Sequence, residues 1–77
     1  MNKKPFLFKD TITIAERVAY LRSKNGYSVN EVSQQTGLSH SNLGEIENEK
    51  NTNPGIKTIL TLCAFYGIAA SEFFRGL

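Results

Sequence analysis

The chain has 77 residues, which is enough for one domain with a single shared core and too few for a large enzymatic cleft. Hydrophobic residues make up 40% of it and charged residues 21%, a balance typical of water-soluble globular domains that argues against the disordered and membrane-spanning classes. Its net charge of +2 is compatible with nucleic-acid binding but does not by itself indicate it.

Residue content also limits the covalent and metal chemistry. With one cysteine, Cys63, and one histidine, His40, we expect no internal disulfide, no metal site and no cofactor. The apolar run at residues 6–8 is too short for a signal-peptide core, so we expect a cytoplasmic protein, associated with the nucleoid if it binds DNA.

The first predicted helix covers about residues 13–25. Thr13 is followed three residues later by Glu16, the spacing of a capping box, and Gly26 can end the helix. The apolar side chains that repeat along one face are Ile14, Val18 and Leu21.

Two short helices are predicted next. Ser28 and Glu31 form a second capping box, and Gly37 closes this helix after two to three turns. Ser39 can cap the next helix, which we expect to end near Asn48. The inward side chains are Val29 and Val32 in the first helix, and Leu43 and Ile46 in the second.

A polar stretch with a proline, residues 49–55, predicts a surface loop, and a fourth helix then runs to Gly67. Cys63 is expected to be a buried, inert thiol on the apolar stripe of that helix. The stripe predicted to be buried consists of Ile56, Ile59, Leu60, Cys63 and Ala64.

A last short helical turn is predicted between Ser71 and Leu77. Its apolar side chains cannot all enter so small a core, and we expect at least one to remain exposed unless a second subunit covers it. The predicted dimer contacts are Phe73, Phe74 and Leu77, and simple packing of these side chains in the core is the alternative.

The two short helices and the turn between them have the form of a helix-turn-helix. Gly37 permits the sharp reversal, and the apolar Leu38 can hold the turn against the core. The order and spacing of these residues resemble the Cro/repressor-type (XRE-like) helix-turn-helix family, and the loop at 52–56 resembles that of repressors of the SinR type. The matching residues are Ser28, Val32, Ser33, Gly37, Ser39, Leu43, Ile46, Glu47, Asn53, Pro54, Ile56, Leu60, Ala64 and Gly67.

This resemblance implies an all-α, lambda-repressor-like domain of five short helices at residues 12–77, with the helix-turn-helix at about 28–48 and residues 1–11 as an N-terminal arm. It also implies a function: a sequence-specific transcriptional regulator, expected to be a repressor, that binds double-stranded DNA as a homodimer on a palindromic operator. No enzymatic activity is expected, because the sequence has no catalytic triad, metal set or phosphate loop.

The resemblance further assigns individual residues to the DNA. The third helix would contact base edges through His40, Ser41 and Glu45. The residues assigned to the DNA backbone are Ser28, Val29, Ser39, Asn42, Asn48 and Lys50. Glu47 is expected to form a structural ion pair with Arg22.

The charge of the motif leaves an alternative open. Residues 28–50 carry four glutamates and one lysine, a net charge of −3, which favours a protein-interaction module such as an antitoxin or antirepressor. If the domain binds DNA, phosphate attraction must come from basic residues around the motif. These are Lys3, Lys4 and Lys9 of the arm, which either contact phosphates or stay solvated, together with Arg17, Lys24 and Lys57.

Overall fold

The computed structural model describes residues 12–77, and this part of the chain is built from five α-helices without a strand. The helices are α1 (Ile14–Lys24), α2 (Val29–Thr36), α3 (His40–Glu47), α4 (Ile56–Tyr66) and α5 (Ala70–Phe73). The predicted all-α, five-helix fold is confirmed. The predicted N-terminal arm, with Lys3, Lys4 and Lys9, lies outside the described residues.

The helix starts follow the capping pattern of the sequence. At α1 the Glu16 amide donates to the Thr13 hydroxyl and the Thr13 amide donates to the Glu16 carboxylate, each over 3.0 Å. Ser28 and Glu31 form the same reciprocal pair at α2. Both predicted capping boxes are present, so these helix boundaries are encoded locally.

The core is formed by one face of each helix. The largest fully buried side chain of the core is Phe73 of α5. Within the core α1 packs against α3, and α2 packs against α4. The other members of the buried cluster are Val18, Leu21, Val32, Leu43, Ile46, Ile59, Leu62 and Cys63. Since α2 and α3 contribute only three of these side chains, the rest of both helices remains available at the surface.

The predicted buried stripe of α4 is wrong in part. Ile56 is 62% exposed and Leu60 48% exposed, and Ala64 also faces solvent. The buried face is made by Ile59, Cys63 and Leu62, which the prediction missed. Two apolar stripes with helical spacing overlap on this helix, and only packing against the other helices decides which one turns inward.

Arg17 of α1 holds the C-terminal end of the domain. Its guanidinium donates to the main-chain carbonyls of Glu72, Phe73 and Arg75 over 2.8, 2.6 and 2.7 Å. The first two carbonyls belong to the last turn of α5 and the third comes just after it. The dipole of a helix favours a positive charge at this end. Arg17 therefore stabilises the fold, with three of its five guanidinium N–H donors bound to the main chain, and its predicted contribution to phosphate attraction stays a prediction.

Candidate nucleic-acid interface

The turn between α2 and α3 is fixed by side-chain hydrogen bonds. The Ser33 hydroxyl donates to the Leu38 carbonyl over 2.6 Å, and the Leu38 amide donates to the Thr36 hydroxyl over 3.1 Å. Gly37 ends α2 with φ of 81°, a left-handed conformation that favours glycine. The angle between the two helices is therefore set by the turn as well as by the core.

One face of α3 is exposed to solvent. Leu43 and Ile46 are buried, which directs the opposite side of the helix outward. The three residues predicted to contact bases share this outward side with the cap residue of the helix. The exposed residues are His40, Ser41, Glu45 and Asn48.

The N-terminus of α3 is suited to an anion. The Ser39 hydroxyl accepts the Asn42 amide over 2.9 Å, which leaves the main-chain N–H groups of His40 and Ser41 without a helical acceptor. The first turn of α3 contains no acidic residue. Free N–H groups and the positive end of the helix dipole together favour a phosphate at this position.

The N-terminus of α2 differs from that of α3. The Glu31 carboxylate lies beside the Ser28 amide and places a negative charge at this helix end. Val29 is half-buried and packs against the core. Ser28 and Val29 therefore present less to a phosphate than the residues at the start of α3.

The loop after α3 is tied back onto the helix. The main-chain carbonyl of Glu45 accepts the amides of Lys50 and Asn51 over 2.8 and 3.0 Å. The side chain of Asn51 donates to the side-chain carbonyl of Asn42 over 3.3 Å. Lys50 is exposed beside the helix, whereas Asn42 is half-buried and shares its polar group with the loop.

Arg22 and Glu47 join α1 to the end of α3. The guanidinium donates to both carboxylate oxygens over 2.8 and 2.9 Å, and also to the Tyr27 carbonyl over 2.9 Å. The hydrogen bond to Glu47 raises the pKa of Arg22 above its ordinary value. The pair predicted from the resemblance is formed in the structure, and it neutralises one of the four negative charges of the motif.

Besides the two arginines already described, the basic side chains of the described region, which include Arg75, are exposed at the surface. Lys24 extends over the ring of the exposed Tyr20 at 5.6 Å from its centre, while Lys50 and Lys57 are exposed. Such solvated lysines are free to approach a polyanion. The sequence did not indicate that Tyr20 is exposed or that Asn51 bonds to Asn42, because both features depend on tertiary packing.

The predicted dimer contacts separate in the structure. Phe73 is 0% exposed and forms part of the core, so it offers no surface to a second subunit, and its assignment as a dimer contact is wrong. Phe74 and Leu77 are 40% and 37% exposed. The short helix α5 has room to bury only one aromatic ring, and Phe74 packs against its edge at 5.1 Å between ring centres.

No group of three or more histidine, cysteine or acidic side chains within residues 12–77 is arranged to hold a metal ion. No helix in this range has the length and apolar character needed to cross a bilayer.

Comparison with known proteins gives consistent matches. The transcriptional regulator PuuR of Escherichia coli is 36% identical over 59 residues, which cover 77% of this chain and 31% of PuuR. SlrR of Bacillus subtilis is 30% identical over 61 residues, covering 79% of this chain and 40% of SlrR. The chain thus spans less than half the length of these curated relatives.

A solved structure has the same fold. The structure of the biofilm regulator SinR in complex with DNA superposes with a TM-score of 0.74 at 28% identity, covering 79% of this chain and 97% of that one. A family profile described as a helix-turn-helix domain matches residues 15–76. The resemblance seen in the sequence is confirmed, and the chain belongs to the helix-turn-helix domain family.

Proposed function

We propose that this chain is the sequence-specific DNA-binding domain of a transcriptional regulator, and that α3 enters the major groove. The observation that carries the proposal is the exposed outer face of α3 beside a helix N-terminus that lacks an acidic residue. The names of the relatives and the DNA in the SinR structure support it.

In the proposed complex, one set of residues contacts the DNA phosphates and another set contacts the bases. The free amides at the start of α3, with Ser39, position one phosphate, and Asn48 and Lys50 contact the backbone near the other end of the helix. The Glu45 carboxylate accepts from the amino group of a cytosine, and His40 donates to a guanine or a phosphate. Ser41 contacts the base edge between them.

A homodimer supplies the affinity that one motif lacks. Phe74 and Leu77 are the exposed apolar side chains at the C-terminal end, and we propose that they contact a second subunit. Two copies of α3 about 34 Å apart would bind a palindromic operator in the cytoplasm, at the nucleoid, and repress transcription by blocking polymerase.

The test combines oligomeric state with DNA selection. Light scattering during gel filtration measures the mass, and selection from a randomised duplex library at two salt concentrations measures preference and salt dependence. A dimer that enriches a palindrome and binds more weakly at high salt supports the proposal. Failure to select any sequence at low salt would contradict it.

Variants then separate base contacts from phosphate contacts. Glu45→Ala is expected to relax the preference at one base position, at a cost of about 1–3 kcal/mol on the preferred sequence. Lys50→Ala is expected to weaken binding to all sequences and to reduce the salt slope by about 1. Identical behaviour of the two variants would contradict direct readout by Glu45.

The second candidate function is a protein-interaction module. It is favoured by the exposed apolar side chains of Ile56 and Leu60 on α4, together with the acidic outer face of the motif at Glu45 and Glu49. This function predicts no salt-sensitive binding to any duplex and a stoichiometric complex that Leu60→Asp disrupts. Glu45→Ala, which removes one charge of the acidic face, should weaken that complex as well.

A further inference from the structure

Gly44 lies in the interior of α3, where glycine is an unfavourable residue. Its φ is not positive, so the backbone conformation does not require glycine. Apart from its two chain neighbours and the helix's own backbone, no atom lies within 4 Å of the place that a Cβ would occupy. Nothing in the described part of the chain therefore explains the absence of a side chain.

The position of Gly44 on the helix gives an external explanation. His40 and Ser41 lie one turn before it and Asn48 lies one turn after it, and all three are exposed. Residues with these spacings are neighbours on a helix surface. The missing side chain leaves a shallow notch in the middle of the face that we assign to the major groove.

We infer that Gly44 is a specificity-determining residue, at which the main chain of α3 comes closest to the base edges of the DNA. This inference rests on the proposed function. Glycine is favoured where a backbone must approach a ligand closely, because it has no Cβ. A base pair that enters the notch lies between the side chains of His40 and Asn48, and a methyl group on residue 44 would hold it away from both.

The test is the substitution Gly44→Ala, for which stability and binding are expected to change in opposite directions. Alanine should raise the melting temperature by about 4–8 °C, because it is the better helix former. The same methyl group should lower affinity for the selected duplex roughly tenfold, the effect of losing one base-pair contact.

Two further readouts distinguish a local effect on base edges from a general one. The ratio of specific to random-sequence affinity should fall with Gly44→Ala, while the salt slope should stay unchanged because phosphate contacts remain. Ser23→Ala is the matched control, since Ser23 is exposed on α1 beside Tyr20. It should leave affinity within about twofold of the unsubstituted protein.

Each outcome bears on the inference. If Gly44→Ala binds the selected duplex as tightly as the unsubstituted protein, or is less stable than it, Gly44 does not serve close approach to DNA. If the unsubstituted protein binds no duplex, the proposed function itself fails and the inference fails with it. Only a more stable variant with weaker and less selective binding supports the inference.

Discussion

Arg17 is predicted to be a main determinant of stability, because it holds α5 against α1. Its guanidinium makes three hydrogen bonds of 2.6–2.8 Å to main-chain carbonyls, two of them at exposed positions and one partly buried. Bonds from a charged donor contribute about 1.5–3 kcal/mol when they are protected from solvent and less when exposed. We therefore expect Arg17→Ala to lower the free energy of unfolding by about 3 kcal/mol.

This loss should appear first at the C-terminal end. In the native protein the Phe73 and Phe74 amides donate to the carbonyls of Ala69 and Ala70. In Arg17→Ala these amides are expected to exchange with solvent faster than the amides of α1. Urea denaturation followed by circular dichroism measures the global loss, and hydrogen exchange locates it.

Two controls make the prediction specific. Lys24→Ala removes the same charge from the same helix, and it is expected to change stability by about 0.5 kcal/mol at most because Lys24 is exposed. Arg17→Lys keeps the charge but cannot reproduce the fork of donors, so it should recover only part of the loss. Equal stability of Arg17→Ala and Lys24→Ala would refute the reasoning.

Three other predictions concern stability. Ala69 is the N-cap residue of α5 and supplies no side-chain cap. Ala69→Ser, with Glu72 three residues later, should form a capping box and raise the free energy of unfolding by about 0.5–1 kcal/mol. An unchanged melting temperature would contradict this. Glu49 has φ of 64°, so Glu49→Asn should stabilise the domain by about 0.5–1 kcal/mol in urea denaturation, and no gain would show that the loop imposes no strain. Burial raises the pKa of the Tyr66 hydroxyl and of the Cys63 thiol. The folded state therefore holds these protons more tightly, and stability should fall as pH rises above about 8.5–10, the range in which the free groups ionise. Urea midpoints measured from pH 7 to 10.5 test this, and Tyr66→Phe should show a shallower decline.

Much of the fold could be predicted from local sequence. The capping boxes of α1 and α2 use side chains three residues apart, and the left-handed glycine at 37 acts on its own turn, so none of these depends on the rest of the chain. The order of such signals also identified the family. The outward face of α3 followed once Leu43 and Ile46 were assigned to the core.

Tertiary packing alone decided the remaining features. The stripe of α4 that turns inward contains Leu62 rather than Leu60, because helical periodicity permits both and only the neighbouring helices choose. Arg17 reaches carbonyls more than fifty residues away. A hydrogen bond to main-chain oxygen has no residue-type signature in the sequence, so a basic side chain that stabilises the fold cannot be distinguished from one that is free to meet DNA until the chain is folded.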